Sequence, residues 1–324
     1  MLDAIVQTVS GPVPAKEIGY TDAHSHLWIE AVSGADPAAP RLDDENLILR
    51  GLEEYAESGG EAIVDCQPPG CGRNGGKLQR ISSKSGIKLI ACTGFHRQRY
   101  YGPGYHLWKM GASEAYDFFI GETRNGLLET RDTDNPVLPG FIKIAAEQTL
   151  GDSPQALFEA AAAACVSSGL AIEMHTERGA DIERFLTFFD AQGVPIERLI
   201  FCHVDKRPDF GLHREMAQAG VMLEYDTFFR PKYEPEQHVW PLLLQMIAAG
   251  LSASIALATD MAEDTMWRDP GPAAFVTTIG RRLDEEGVDN AQKRGLLGGN
   301  ITGRLAVRTN REQLDPEDIS KGAP

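Results

Sequence analysis

Positive charge is scarce in this chain of 324 residues: 31 lysines and arginines face 47 aspartates and glutamates, a net charge of −16. Nucleic acid needs a basic face for its phosphates, so that class of partner is not expected. An anionic small molecule stays open, because a local basic pocket can sit in an acidic protein. Long apolar runs are missing as well. None approaches the ~18–20 residues of a membrane span. The opening Met1-Leu2-Asp3-Ala4 has neither the basic start nor the apolar core of a secretory signal. Cysteines are few, odd in number and scattered, at 66, 71, 92, 165 and 202. That pattern suits reduced thiols in a cytosolic protein. Cys66 and Cys71 lack a second pair to complete a structural zinc site, so buried or loop thiols are expected. The expectation is a cytoplasmic protein with a small-molecule substrate, no nucleic acid, no membrane, and a homodimeric assembly.

Apolar residues make up 42% and charged residues 24%, as in soluble globular proteins. Short apolar runs occur at 19–24, 62–65, 88–93, 140–145, 171–175, 199–203, 221–226 and 254–260. Their nearly continuous apolar character suits strands buried on both faces. Helical segments are read at 43–57, 153–168, 181–192, 208–219 and 234–249. The second opens on a Ser153 cap followed by Pro154. This alternation predicts the α/β class and a (β/α)8 TIM barrel over residues 1–308, followed by a polar tail at 309–324. A doubly wound open sheet is the second choice, but no glycine-rich phosphate fingerprint follows any strand. The Gly/Pro-rich stretch 68–76 and the aromatic, charged stretch 97–111 both follow strands and are expected at the catalytic face.

Several strand ends carry metal-binding residue types. His24-Ser25-His26 places two imidazoles on one side of a strand. Alone, a His-x-His is weak evidence. His175, His203 and Asp260 end later strands, and Lys143 lies within an apolar one. A buried amine is costly unless it is paired, neutralised or chemically changed. Four of the eight histidines thus meet an aspartate and a lysine at one barrel face. Such nitrogen and oxygen donors suit zinc, manganese or similar divalent ions. His106, His213 and His238 are expected to be solvated or packing residues. Asp226 either binds substrate or caps a helix. Arg97, Arg99 and Tyr100 either hold a carboxylate or phosphate or are ordinary loop residues. Trp240 and Trp267 are core or pocket wall, and Trp267 is the better pocket candidate because it follows Asp260.

The order His-x-His, Lys, His, His, Asp resembles the phosphotriesterase family of the amidohydrolase superfamily, including its lactonases. The opening Gln7–Pro14 segment, Ile63-Val64-Asp65, Cys92-Thr93-Gly94-Phe95 and the strand around Lys143 are similar to that family's. The resemblance implies a barrel with a binuclear metal site at the C-terminal face of its strands. His24, His26 and Asp260 would hold the first metal, and His175 and His203 the second. Lys143, carboxylated on its amine, would bridge them. It implies two divalent ions, zinc first, with manganese, cobalt or iron as alternatives. Two close metals acidify a bridging water and polarise the substrate oxygen, and Asp260 takes the water's proton. Two positions depart from the family's habit. Ser25 stands where glutamate is frequent, and His96 stands at a pocket-facing position where relatives place Tyr or Trp.

The function implied is a metal-dependent hydrolase of ester bonds, a lactonase acting on a sugar lactone or related carboxyl ester. Its substrate-binding candidates are His96, Arg97, Arg99, Tyr100, Asp226 and Trp267. An organophosphate triester hydrolase is the alternative within the class. A Schiff-base aldolase or lyase using Lys143 is the alternative from another class, but it leaves four converging histidines unexplained. A non-catalytic barrel would be expected to have lost some of its ligands.

Overall fold

The computed structural model describes residues 3–309. Apart from Thr309, the tail expected at 309–324 lies outside the described residues. The strands are β1 (Asp3–Thr8), β2 (Gly11–Pro14), β3 (Tyr20–Ser25), β4 (Gly60–Asp65), β5 (Lys88–Ile90), β6 (Cys92–Gly94), β7 (Phe141–Ala145), β8 (Ile172–His175), β9 (Leu199–Cys202), β10 (Met222–Tyr225), β11 (Ile255–Leu257) and β12 (Val307–Thr309). β3 to β11 pair in parallel in two sheets, ordered β3-β4-β5 and β11-β10-β9-β8-β7-β6. β5 and β6 are one stave of the barrel, interrupted at Ala91, whose carbonyl accepts the Gly140 N–H at 2.8 Å. The other seam joins β11 to β3. There the Asp260 N–H donates to the His24 carbonyl at 2.8 Å, and the Thr259 N–H to the Asp22 carboxylate at 3.0 Å.

The strands sort their side chains by parity. On β7, Phe141 belongs to the apolar cluster inside the ring of strands, whereas Ile142 and Ile144 pack outward under the helices. Lys143, two residues beyond Phe141, therefore points inward. The same rule sends Glu173 and His175 of β8 inward with Ala171, Cys202 of β9 inward with Ile200, and Glu224 of β10 inward with Met222. The interior is thus apolar at the strand starts and polar above.

Helices cover the outside: α1 (Glu45–Glu57), α2 (Gly75–Ser85), α3 (Ala112–Asn125), α4 (Gln155–Ser168), α5 (Ile182–Ala191), α6 (Phe210–Ala219) and α7 (Val239–Ala248). Asp44 caps α1 by accepting from the N–H groups of Asn46 and Leu47, and Asp209 caps α6 through Leu212. Ser153 does not cap α4. Its hydroxyl is already engaged, donating to the Thr149 carbonyl and accepting from the Glu147 N–H. The helix expected at 234–249 begins only at Val239, after a turn at Pro231–Tyr233 and the segment around Pro235. α2 and α3 were not anticipated by the sequence pattern.

The opening segment forms a separate small sheet, ordered β12-β1-β2 and antiparallel. Val6, Ile18, Ile301 and Leu305 pack there against Phe141, Ile200 and Met222, closing the barrel at the starts of its strands. Among the described residues, no helix is long and apolar enough to cross a membrane.

Candidate metal centre and active site

The ends of β3, β7, β8, β9 and β11 bring His24, His26, Lys143, His175, His203 and Asp260 to one place. His24 Nε2 and His26 Nε2 lie 3.7 and 3.9 Å from Asp260 Oδ1. The rings of His24 and His203 are 5.0 Å apart, and those of His175 and His203 are 4.6 Å apart. Lys143 Nζ is 3.5 Å from His24 Nε2. His203 and Asp260 leave their strands with φ of 64° and 49°. This left-handed conformation is unusual for non-glycine residues and recurs at functional positions.

Each imidazole is oriented by an acceptor on its far side. His24 Nδ1 lies 2.7 Å from Glu224 Oε1, His26 Nδ1 2.7 Å from Gln67 Oε1, and His203 Nδ1 2.5 Å from Asp226 Oδ2. A proton on each Nδ1 leaves each Nε2 with its lone pair facing the centre. His175 is reversed: its Nε2 is 3.1 Å from Glu177 Oε1, so Nδ1 is the nitrogen left to face inward. Burial, first of all, depresses the pKa of all four imidazoles, His26 to about 4, so they are neutral at neutral pH. Burial opposes ionisation of Asp260. Arg230, with Lys206 behind it as a second permanent cation, outweighs it and holds the pKa below the usual carboxylate value.

Converging lone pairs and a carboxylate, buried or half-buried, call for cations. Ligand atoms of His24, His203 and Asp260 lie within 4.8 Å of one another. The donor set therefore fits divalent metals, with nitrogen and oxygen ligands of the zinc type.

Below this layer lies a second polar one that sequence reading missed. Lys143 Nζ is 3.1 Å from Glu173 Oε1, and Glu173 also accepts from the Cys66 thiol at 2.7 Å. Burial disfavours the ammonium, but Cys202, Cys66, Glu173 and Glu224 outweigh it and push the Lys143 pKa well up. Glu173 and Glu224 could have been found from strand parity, as acids at inward positions of apolar strands.

Above the centre is a cavity of about 480 Å³. His96 and Tyr100 line it, as expected from the sequence. Cys71 lines it too, within the stretch 68–76 expected at this face, whereas Lys206, Arg230 and the loop at 29–41 with Arg41 were not anticipated. The loop's signal was its Gly-, Pro- and Ala-rich run directly after the His-x-His strand. Four of the expected substrate contacts sit elsewhere. Arg97 is consumed by ion pairs with Glu147, at 2.6 Å, and Glu177. Arg99 stacks on the Tyr100 ring at 4.8 Å and lines a neighbouring depression. Asp226 lies behind His203, fully buried. Trp267 is 2% exposed, its indole N–H donating to the His26 carbonyl at 3.1 Å, which makes it core. His213 is core as well, bonded to Tyr225 Oη at 2.7 Å.

Comparison with known proteins agrees with this architecture. The phospho-furanose lactonase of Mycoplasmopsis agalactiae is 27% identical over 72% of this chain and 69% of its own length. That of Mycoplasmopsis synoviae is 25% identical over 99% of this chain and 97% of its own. Among solved structures, a lactonase from Listeria monocytogenes superposes with a TM-score of 0.82 at 21% identity, covering 94% of this chain and all (100%) of that one. Residues 4–300 match the profile of the Phosphotriesterase family, and the chain belongs to that family of barrel hydrolases.

Proposed function

We propose that the protein is a metal-dependent lactonase whose substrate is sugar-sized and carries an anionic group. The observation that carries this reading is the convergence of His24, His26, His175, His203 and Asp260 on the floor of the cavity, each imidazole oriented from behind. His24, His26 and Asp260 would hold one divalent ion and His175 and His203 a second, with carboxylated Lys143 between them. When bound, such ions, zinc foremost, supply Lewis acidity that acidifies water and polarises the ester carbonyl. Asp260, ionised at neutral pH, takes up the proton of the attacking water.

The lactone preference is supported by the two relatives named phospho-furanose lactonases. The anionic group is supported by the cations at the cavity wall. Lys206 lies 3.6 Å from Asp226 and Arg230 2.8 Å from Asp260, and Arg41 stands at the rim. Glu30, Asp36 and Glu263 line the same cavity, so an anionic group would be placed by direct contact with these cations rather than by the overall field. They replace Arg97, whose guanidinium is held by Glu147 and Glu177, and Arg99, which lines the neighbouring depression.

The test is zinc-loaded protein assayed by proton release against lactones with and without a phosphate, with metal measured by elemental analysis. About two ions per chain and faster turnover of the phosphorylated lactones are expected. An active metal-free protein would overturn the metal role. Faster turnover of an organophosphate triester than of any lactone would replace the lactonase reading.

A further inference from the structure

His96 lines the cavity wall, and the metal centre does not use its chemistry. Its placement begins with Gly94. At φ of 110°, a Cβ on Gly94 would lie 1.9 Å from the Lys143 carbonyl oxygen, so only glycine fits the turn at the end of β6. Phe95 then donates its N–H to that same carbonyl at 2.8 Å. The next residue swings over the centre. The His96 N–H is held by Tyr101 Oη at 2.8 Å, and Tyr101 is itself buried. The His96 ring stands edge-on to Tyr100 at 4.7 Å and 5.1 Å from the ring of His175.

The backbone fixes the tautomer. The Arg97 N–H donates to His96 Nδ1 at 2.7 Å, so Nδ1 carries a lone pair and the proton sits on Nε2. A metal on Nε2 would require the proton on Nδ1, and two N–H groups would then face each other. His96 is therefore not a fifth metal-ligating histidine. It is a fixed neutral donor in the wall of the cavity, and its Nε2 makes no hydrogen bond to the protein among the described residues.

We propose that His96 is a catalytic residue, whose Nε2–H donates a hydrogen bond to the carbonyl oxygen of the bound ester as negative charge gathers there. This rests on the ester-hydrolase reading above. A neutral imidazole keeps its proton and is suited to stabilising an oxyanion. It is poorly suited to protonating a leaving group, since Nδ1 is occupied by Arg97 and cannot replenish it. A donor already oriented before the reaction needs no reorganisation as the charge develops. No proton is transferred and no bond to His96 is made or broken.

The experiment compares His96→Phe and His96→Gln with wild type on one neutral lactone, with metal content and melting temperature recorded for each. For His96→Phe, kcat should fall about 10²-fold, the usual cost of one such donor. KM should stay within threefold and metal content should be unchanged. His96→Gln retains an N–H and should recover part of the loss. Nitrogen NMR of the metal-free wild type should show the Nε2–H tautomer at His96. A kcat within threefold of wild type, equal loss in both variants, or the Nδ1–H tautomer would each overturn the donor role. Loss of metal from His96→Phe would overturn it too, in favour of a ligand. A wild type that turns over no lactone or ester, with its metal in place, would instead overturn the hydrolase reading and the role that depends on it.

Discussion

At the scale of single residues, the centre is built from groups that would be liabilities elsewhere. Asp260 is half-buried yet ionised, because Arg230 contacts Oδ2 at 2.8 Å. Asp260→Asn keeps its shape but loses the proton acceptor, and kcat should fall about 10²–10⁴-fold. A loss under tenfold with metal content intact would remove Asp260 from that role. Glu224 contributes without facing the cavity. Its Oε1 accepts from His24 Nδ1 at 2.7 Å and so aims Nε2 at the centre. In Glu224→Leu only the more distant Glu173, 3.4 Å from Nδ1, is left to fix that tautomer, and metal affinity should weaken about 10–100-fold. Competition with a chelating indicator measures this, and an unchanged affinity would show that packing alone orients the ring.

At the scale of elements, strand parity decides which side chains meet. Gly94 belongs to this level, because its missing Cβ lets β6 turn against β7. Gly94→Ala should destabilise the fold by more than about 2 kcal/mol, read from the denaturant midpoint, since both strain and a backbone collision result. A midpoint equal to wild type would mean that the turn relaxes freely. His213 ties α6 to the outer side of β10, with Nδ1 on Tyr225 Oη and Nε2 on the Arg207 carbonyl at 3.0 Å. Burial, first of all, lowers its pKa to about 4. The unfolded chain takes up that proton near pH 6.5 and the folded one only near 4. The contribution of His213 is therefore intact above pH 6.5 and lost as pH falls from there towards 4. The difference in melting temperature between wild type and His213→Gln should narrow over that interval, and a constant difference would refute it.

The strands and the metal-ligand types were legible in the sequence because both follow short-range rules. Apolar runs marked the staves, and His24, His26, His175, His203 and Asp260 stood at their ends. The contacts of Arg97, Asp226 and Trp267 were not legible, because nearness in sequence to a strand end does not fix direction. Arg97 turned away because two acids, Glu147 and Glu177, lay within reach on the next two barrel loops. Lys206 and Arg230 were overlooked for the converse reason: only the closed ring of strands carries them to the cavity. Ser153 shows the same limit on a smaller scale, a good capping residue claimed by another partner.

At the scale of the whole molecule, the centre joins staves that are far apart in sequence. A divalent metal held by His24, His26 and Asp260 would tie the start of the barrel, β3, to its last stave, β11, across a seam held by few backbone bonds. A metal assembled by these distant staves would bind the folded chain in preference to the unfolded one, so saturation should raise the melting temperature, by about 2.7 kcal/mol of stability at a hundredfold excess over Kd. Scanning calorimetry with and without a chelator checks this. Lys143→Ala should show a smaller rise than wild type, and an equal rise in both would place the stabilising metal elsewhere.

The small sheet of β1, β2 and β12 gives the molecule an underside with its own engineering logic. Asp3 and Thr309 are direct backbone partners there, at the end of the barrel opposite the cavity. A short linker across that pair would join the two ends of the described chain without approaching the mouth. A circularly permuted enzyme, reopened in an exposed helix-to-strand turn on the same underside, should keep its chemistry. The same location suits attachment to a solid support, which would leave every loop around the cavity facing the solution.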